Sequence, residues 1–237
     1  MRAGRNIFKF KQFEVDQTGC AMRINTDGVL LAASATHKHP KKILDIGTGT
    51  GVIALMLAQR FNGAQVDAVE IDFQAAETAN GNAARSKFSD QINVFNTAFE
   101  DFITNEKYDL IVSNPPFFVN DLKNEEKRKG IARHAAADFF GMLIRKSAGL
   151  LSASGKIYMV LPIKQALEVE RLGAEFNLSV SEKIYLHSDK DKPIFRVIIC
   201  LEAGIPKLEE HHFYIYQSDK VHTEAYHTLL KDFFLAF

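Results

Sequence analysis

Asp45-Ile46-Gly47-Thr48-Gly49-Thr50-Gly51 joins the short apolar run Ile43-Leu44-Asp45-Ile46 to a helical stretch from Gly51 to Arg60. That stretch carries Val52, Leu55, Met56 and Ala58 on one face, the spacing of a buried helix. Strand, glycine turn and helix in direct succession read as the start of a βαβ unit. In an open α/β sheet such a turn lies beyond the carboxyl ends of the strands, where ligands bind. Its glycines let the backbone bend tightly and approach a ligand closely. The helix that follows presents N–H groups with no partner of their own.

The same alternation continues outward. Residues 66–69, 92–95, 108–112 and 156–161 read as strands, with helices over 73–86, 139–151 and 162–176. Runs such as Leu110-Ile111-Val112 are apolar on both faces, as expected of a parallel strand covered by helices on both sides. The late strands, 178–187 and 194–202, have no helix between them and predict an antiparallel edge hairpin. A strand over 212–217 and a helix over 223–234 close the chain. Before residue 43, Phe8 and Phe10 alternate with Lys9 and Lys11, Asp16 to Gly19 supplies turn residues, and Met22 and Ile24 alternate again, so 7–24 reads as a hairpin. Asn25 to Gly28 reads as a capped helix start. With no repeat and no Pro/Gly linker, the expectation is one domain over 1–237: an N-terminal hairpin and helix extension over 1–42, and an α/β core over 43–237.

Composition narrows the function classes. In 237 residues, 46% hydrophobic and 24% charged describe a globular protein and not a disordered one. The 29 Lys and Arg balance 29 Asp and Glu, so bulk charge does not advertise a nucleic-acid binder, though a local basic patch can sit on a neutral whole. Two cysteines, Cys20 and Cys200, cannot build a disulfide framework or a structural zinc site. The adjacent His211 and His212 point to opposite faces of a strand, so no metal is expected. No apolar run approaches the roughly 20 residues of a membrane span. The basic N-terminus lacks the apolar core of a signal peptide. The expectation is a soluble, cytoplasmic monomer that touches no membrane.

The loop chemistry separates two ligands. A dinucleotide loop wants G-x-G-x-x-G; here the third glycine comes one place early and Val52 takes the expected position. Asp45 stands beside the loop, unwelcome to a pyrophosphate and welcome to a cation. S-adenosylmethionine carries a sulfonium and an ammonium and no phosphate. Glu70 ends the next strand and can accept both ribose hydroxyl hydrogens of either nucleotide class. Ile71 can pack on an adenine face, and Glu100 or Asp101 can accept from its amine or serve as a helix-start acid.

Asn114-Pro115-Pro116-Phe117 follows the strand at 108–112. Two prolines stiffen the turn and remove two donors, leaving the Asn114 side-chain oxygen and the Pro115 carbonyl as fixed acceptors beside an aromatic ring. Such a set suits an exocyclic amine on a planar base. Its nitrogen is a poor nucleophile until its hydrogens are held and its lone pair is aimed, so catalysis here is positioning and electrostatics.

These residues resemble a known family. DIGTGTG at 45–51, VEID at 69–72 and NPPF at 114–117 are similar to the motifs of class I S-adenosylmethionine-dependent amino-methyltransferases. FKFKQFEV at 8–15, CAMRINTDGVLLAA at 20–33 and TEAYHTLLKDFF at 223–234 resemble a narrower group, the bacterial tRNA1(Val) adenine N6-methyltransferases. The resemblance implies a Rossmann-like, seven-stranded, mostly parallel sheet with helices on both faces. It implies methyl transfer from S-adenosylmethionine to N6 of the adenosine 3′ of the anticodon. It carries Gly47, Gly49, Glu70 and Asp101 over as cofactor contacts, and Asn114, Pro115 and Phe117 as the adenine clamp. Thr26 and Asp27 would lie over the cofactor's methionine end, with a capping turn as the competing reading. The full cofactor set is then Thr26, Asp27, Asp45, Gly47, Gly49, Gly51, Glu70, Ile71, Asp101 and Asn114. Where the family often has Tyr, this chain has Phe117, which stacks but offers no hydroxyl.

Three basic groups are candidates for RNA. Lys123, Lys127, Arg128, Lys129 and Arg133 follow the NPPF turn, tempered by Glu125 and Glu126. Arg2, Arg5, Lys9 and Lys11 interleave with Phe8, Phe10 and Phe13, and Lys38, Lys41 and Lys42 form a third group. Each can neutralise phosphates in the anticodon loop of a tRNA, or be an ordinary solvated face over a buried aromatic side. Rival functions are methylation of a protein glutamine amide, which an NPP turn also suits, an NAD(P)-binding oxidoreductase, and a fold retained for binding alone.

Overall fold

The computed structural model describes residues 6–20, 22–116 and 127–237, and for 127–138 the backbone only. A short hairpin opens the chain, β1 (Ile7–Lys9) and β2 (Glu14–Asp16), followed by α1 (Thr26–Ser34). The core alternates as anticipated: β3 (Lys42–Ile46), α2 (Val52–Arg60), β4 (Gln65–Glu70), α3 (Phe73–Arg85), β5 (Ile92–Asn96), β6 (Tyr108–Ser113), α4 (Lys127–Leu150), β7 (Leu151–Leu161) and α5 (Ile163–Ala174). Then come β8 (Leu178–His187), β9 (Ile194–Ala203), β10 (Glu209–Tyr214), β11 (Tyr216–Ser218), β12 (Val221–His222) and α6 (Glu224–Leu230).

The central sheet runs β10-β8-β9-β7-β6-β3-β4-β5. From β5 to β7 all neighbours are parallel, while β9 is antiparallel to both β7 and β8. The chain passes from β3 to β4 on one side and returns to β6 on the other, so the strand order reverses between β3 and β6. Ligands bind at the carboxyl edge of such a reversal.

Burial alternates along the strands. Ile43, Leu110 and Val112 face a core shared with α1 and α2, while Leu44, Ile111 and Ile157 face one shared with α4 and α5. Each fully buried aliphatic side chain contributes about 1.5–3 kcal/mol.

Three expectations need correction. The sheet has eight strands, not seven: β10 pairs in parallel with β8, beyond the β8–β9 hairpin that was expected at the edge. Its first four residues, Glu209-Glu210-His211-His212, are too polar to announce a strand, so the strand expected over 212–217 begins three residues earlier and stops at Tyr214, with 216–218 forming β11. The N-terminal hairpin turns at 10–13, not at 16–19; Phe10 N–H donates to the Phe13 carbonyl at 2.9 Å, and β2 is the return strand. The helix expected from Phe139 starts at Lys127, because its first turns are charged and contain Gly130, so only the end carrying Phe140, Leu143 and Ile144 shows an apolar period.

The hairpin aromatics are structural. Phe10 and Phe13 are buried and stack at 4.5 Å, and Phe10 packs on Phe234. Lys11 Nζ donates to the carbonyls of Lys231 and Phe237, tying the hairpin to the C-terminal tail, and the exposed Lys9 pairs with Glu14 across the hairpin. Among the described residues, no helix is long and apolar enough to cross a membrane.

Candidate active site

The glycine loop follows β3. Gly47, Gly49 and Gly51 all adopt left-handed backbone conformations, with φ of 73°, 57° and 80°, which a side chain disfavours. At Gly51 space is also limiting: a Cβ would stand 3.3 Å from the backbone of Ala79 in α3. Gly47 and Gly49 are open on the ligand side. Gly47 N–H and Thr48 N–H both donate to the Val69 carbonyl.

Glu70 ends β4 and is held from two directions. Its Oε2 accepts from Gly49 N–H and its Oε1 from Asp72 N–H, each at 2.9 Å. Each carboxylate oxygen keeps a lone pair, and Glu70 lines a cavity of about 390 Å³ against the loop. Gly47, Gly49, Ile71 and Asn114 line the same cavity, so the structure brings half of the ten expected cofactor residues together.

Five of them stand elsewhere. Gly51 serves the close packing on α3. Asp101 does not reach the wall; its neighbour Glu100 does. The pair sits on a one-turn 3-10 helix, Phe99–Asp101, that buries Phe99 and turns adjacent side chains apart. Thr26 and Asp27 line a neighbouring cleft.

Asp45 is the fifth. It is wholly buried, paired across β3 with Ala68 on one side and Val112 on the other, and does not line the cavity. Thr48 Oγ1 donates to its Oδ2 at 2.6 Å, so Asp45 braces the loop from beneath. Burial pushes its carboxyl up to about 7, against the Thr48 hydroxyl and the Ala54 N–H, which lower it. In the unfolded chain the group titrates near 3.9. Between those values the folded state binds a proton that the unfolded state has released. The stability this group supplies is therefore full below about pH 4, falls as pH rises to about 7, and is level above. We expect Asp45→Asn to flatten the pH dependence of Tm between pH 4.5 and 7, removing up to about 1.4 kcal/mol per pH unit. Thermal melts across that range check it; parallel curves for the two proteins would contradict the buried-acid account.

The NPP turn follows β6, whose Ser113 hydroxyl donates to the Ile46 carbonyl at 3.0 Å and holds the ends of β6 and β3 side by side. Asn114 is half-buried, Pro115 buried and Pro116 exposed. Asn25, the N-cap of α1, accepts through Oδ1 from Gly28 N–H at 2.9 Å and from Asn114 Nδ2 at 3.4 Å. The Asn114 amide is thereby turned with its nitrogen toward α1, and its oxygen remains free to accept. Asn114, Pro115 and Met22 line both the cavity and the neighbouring cleft of about 600 Å³, and so stand between the two.

Several contributors were invisible to motif reading. Asn25 reads as a cap and is one, yet it also orients Asn114. Asn82, fully buried in α3, donates to the carbonyls of Asp16 and Thr50 and accepts from Asp16 N–H, tying the N-terminal hairpin to the glycine loop. Arg196 at the start of β9 donates from Nε to Asp27 Oδ2 at 2.8 Å in the wall of the second cleft. Phe117 and Lys123 lie outside the described residues. Lys127, Arg128, Lys129 and Arg133 lie in the backbone-only part of α4, on the helix that follows the NPP turn. Among the described residues, no cluster of three or more potential ligands could hold a metal ion.

A family model described as methyltransferase small domain matches residues 20–179, and the chain belongs to that family. Its relatives are more specific. A protein of Pedobacter heparinus named tRNA1(Val) (adenine(37)-N6)-methyltransferase is 54% identical over 233 residues, covering 98% of this chain and 100% of its own. One of the same name from Trichodesmium erythraeum is 39% identical over 240 residues, covering 99% and 100%. Within the small-domain methyltransferases, the chain is thus a member of the tRNA1(Val) (adenine(37)-N6)-methyltransferase family. The fold is shared more widely. A predicted O-methyltransferase from Agrobacterium tumefaciens superposes with a TM-score of 0.67 at 18% identity, covering 87% of this chain and 96% of its own. TrmN from Thermus thermophilus gives 0.56 at 18%, covering 75% and 48%.

Proposed function

We propose that this chain, acting alone in the cytoplasm, transfers a methyl group from S-adenosylmethionine to N6 of adenosine 37 in tRNA1(Val). The observation that carries the reading is the placement of Asn114 and Pro115 between an acid-lined cavity and a second open cleft.

The cavity suits the methyl donor. Its described wall holds the carboxylates of Glu70, Asp72 and Glu100 and no lysine or arginine, so it favours a cationic ligand without phosphate and repels a pyrophosphate. When bound, S-adenosylmethionine supplies an electrophilic methyl on a sulfonium. Glu70 would accept from the ribose hydroxyls, Ile71 and Phe99 would flank the adenine, and Glu100 would face its amine.

The chain's own work on the target is orientation. The Asn114 side-chain oxygen and the Pro115 carbonyl accept the two hydrogens of the target amine, which turns its nitrogen lone pair out of ring conjugation. A loop adenosine reaches this clamp at lower cost than a paired one, having less stacking to lose. Fixed acceptors need no reorganisation during the reaction, which is where their catalytic value lies.

Asn25 is then a positioning residue. Asn25→Ala removes the helix cap, costing about 1 kcal/mol of stability. It also frees the Asn114 amide, and we expect kcat to fall by about tenfold, the worth of one hydrogen bond. Asn25→Asp keeps the acceptor and should recover most of kcat. If both variants lower Tm but neither changes kcat below the melt, the positioning role is wrong.

The functional reading is tested by incubating purified protein and S-adenosylmethionine separately with unmodified tRNA1(Val) and with a peptide-release-factor domain. N6-methyladenosine in the tRNA, found by nucleoside mass spectrometry, is the expected product. Methylglutamine in the protein substrate, with none in the RNA, would replace this reading with the amide-directed one.

A further inference from the structure

We infer that the RNA strand flanking the target adenosine leaves the active site through a groove between the β8–β9 loop and the β11–β12 hairpin. This deepens the function proposed above and rests on it. The groove is about 840 Å³ and runs between residues 188–192 and 216–222. It shares Ser188 and Tyr216 with the second cleft, so the groove adjoins the cleft that Asn114 lines.

Its walls are braced against each other. Ile215 N–H donates to the His187 carbonyl at 3.0 Å, Tyr216 N–H to Ser188 at 2.8 Å, and Thr223 N–H to Ile215 at 3.0 Å. A site held this way loses little entropy on binding.

The chemistry along the cleft and groove suits a single-stranded nucleotide chain. At the inner end the Arg196 guanidinium is fixed by Asp27 Oδ2 and by the Phe195 carbonyl, each at 2.8 Å. At the junction Tyr216 stacks on His222 at 4.9 Å, and His222 on Tyr226 at 4.4 Å. His222 lies between the two tyrosines and Tyr226 is buried, so the half-buried Tyr216 at the outer end is the ring that can offer a face to an unpaired base. Along the outer walls Lys190, Lys192 and Lys220 are exposed. They share the groove with Asp189, Asp191 and Asp219, of which Asp189 accepts from Asp191 N–H at 3.0 Å in its own turn. Phosphates are therefore held by individual ammonium contacts, not by a broad positive field.

The other described basic groups are poorly placed for this task. Lys41 precedes β3 and Lys42 begins it, at the amino edge of the sheet, a strand length of about 15 Å from the carboxyl-edge site. Lys11 is tied to the C-terminal tail, and Lys9 is paired with Glu14.

The test is the triple variant Lys190→Glu, Lys192→Glu and Lys220→Glu, with the corresponding triple Gln variant in case charge reversal disturbs the fold. Affinity for tRNA1(Val) is read by fluorescence anisotropy across a salt series, beside S-adenosylmethionine affinity by calorimetry and Tm. We expect tRNA affinity to fall at least about tenfold and the slope of log K against log salt to flatten by about 2, at roughly 0.7 per single-stranded phosphate contact. S-adenosylmethionine affinity should stay within about twofold, as the groove is separate from that cavity. Unchanged tRNA affinity and slope in well-folded variants would overturn the groove. So would a salt slope carried wholly by residues 123–133. If the wild type binds tRNA through the groove but leaves N6-methyladenosine unformed, the functional reading fails while the groove stands.

Discussion

Asn114→Ala is expected to lower kcat for tRNA methylation by about 10²–10³-fold, the cost of deleting one preorganised polar group from a transition-state site. The effect is large because none of the described neighbours can take its place. Pro115 and Pro116 contribute no donors, the Pro115 carbonyl alone cannot hold both hydrogens of an amine, and Asn25 is spent on the cap and on Asn114 itself. S-adenosylmethionine affinity should change by less than about threefold, since the cavity keeps Glu70, Ile71 and the glycine loop. Rapid-quench kinetics beside calorimetric titration separates the two. A matched loss of affinity and rate would make Asn114 a cofactor ligand and not a clamp.

Glu70→Ala is expected to act in the opposite way, weakening S-adenosylmethionine binding by about 10²-fold or more. Charge-assisted hydrogen bonds are worth about 1.5–3 kcal/mol each, and a carboxylate facing two ribose hydroxyls forfeits both. The variant also strands two backbone donors, Gly49 N–H and Asp72 N–H, in a position where Glu70 is 9% exposed. Tm should therefore fall as well, and the loop should lose its fixed form. Glu70→Gln keeps one acceptor oxygen but turns an NH2 group on one of those donors, so intermediate values are expected. Calorimetry and thermal melts check both; unchanged affinity in Glu70→Ala would remove Glu70 from the cofactor site.

The legible part of this protein was local in the chain. A glycine turn after a strand, an acid at the end of the next and an NPP turn after another each need only a few residues to declare themselves, and the sheet order brings them to one edge. The parts that escaped depend on distant neighbours. Asp45 sits beside the loop in sequence, yet β4 and β6 on either side bury it. Asp27 looks like a cap or a cofactor contact until Arg196, 169 residues away, is found to hold it on the second cleft. Glu100 and Asp101 differ only in their phase on a single 3-10 turn. Phe10 and Phe13 interleave with lysines as an RNA-stacking surface would, but Phe234 of the C-terminal tail packs on Phe10, and Phe13 packs on Phe10 and Phe88. Zero net charge is an average over unlike sites: Glu70, Asp72 and Glu100 line a cavity without lysine or arginine among the described residues, while Lys190, Lys192 and Lys220 share a groove with three aspartates.

The central claim is methylation of one amine at one position. It is tested most directly by offering the purified protein S-adenosylmethionine and two transcripts, tRNA1(Val) and the same tRNA with adenosine 37 replaced by guanosine. The account predicts about one N6-methyladenosine per molecule in the first, mapped to position 37, and none in the second. Equal methylation of both transcripts, or none of either, would contradict it.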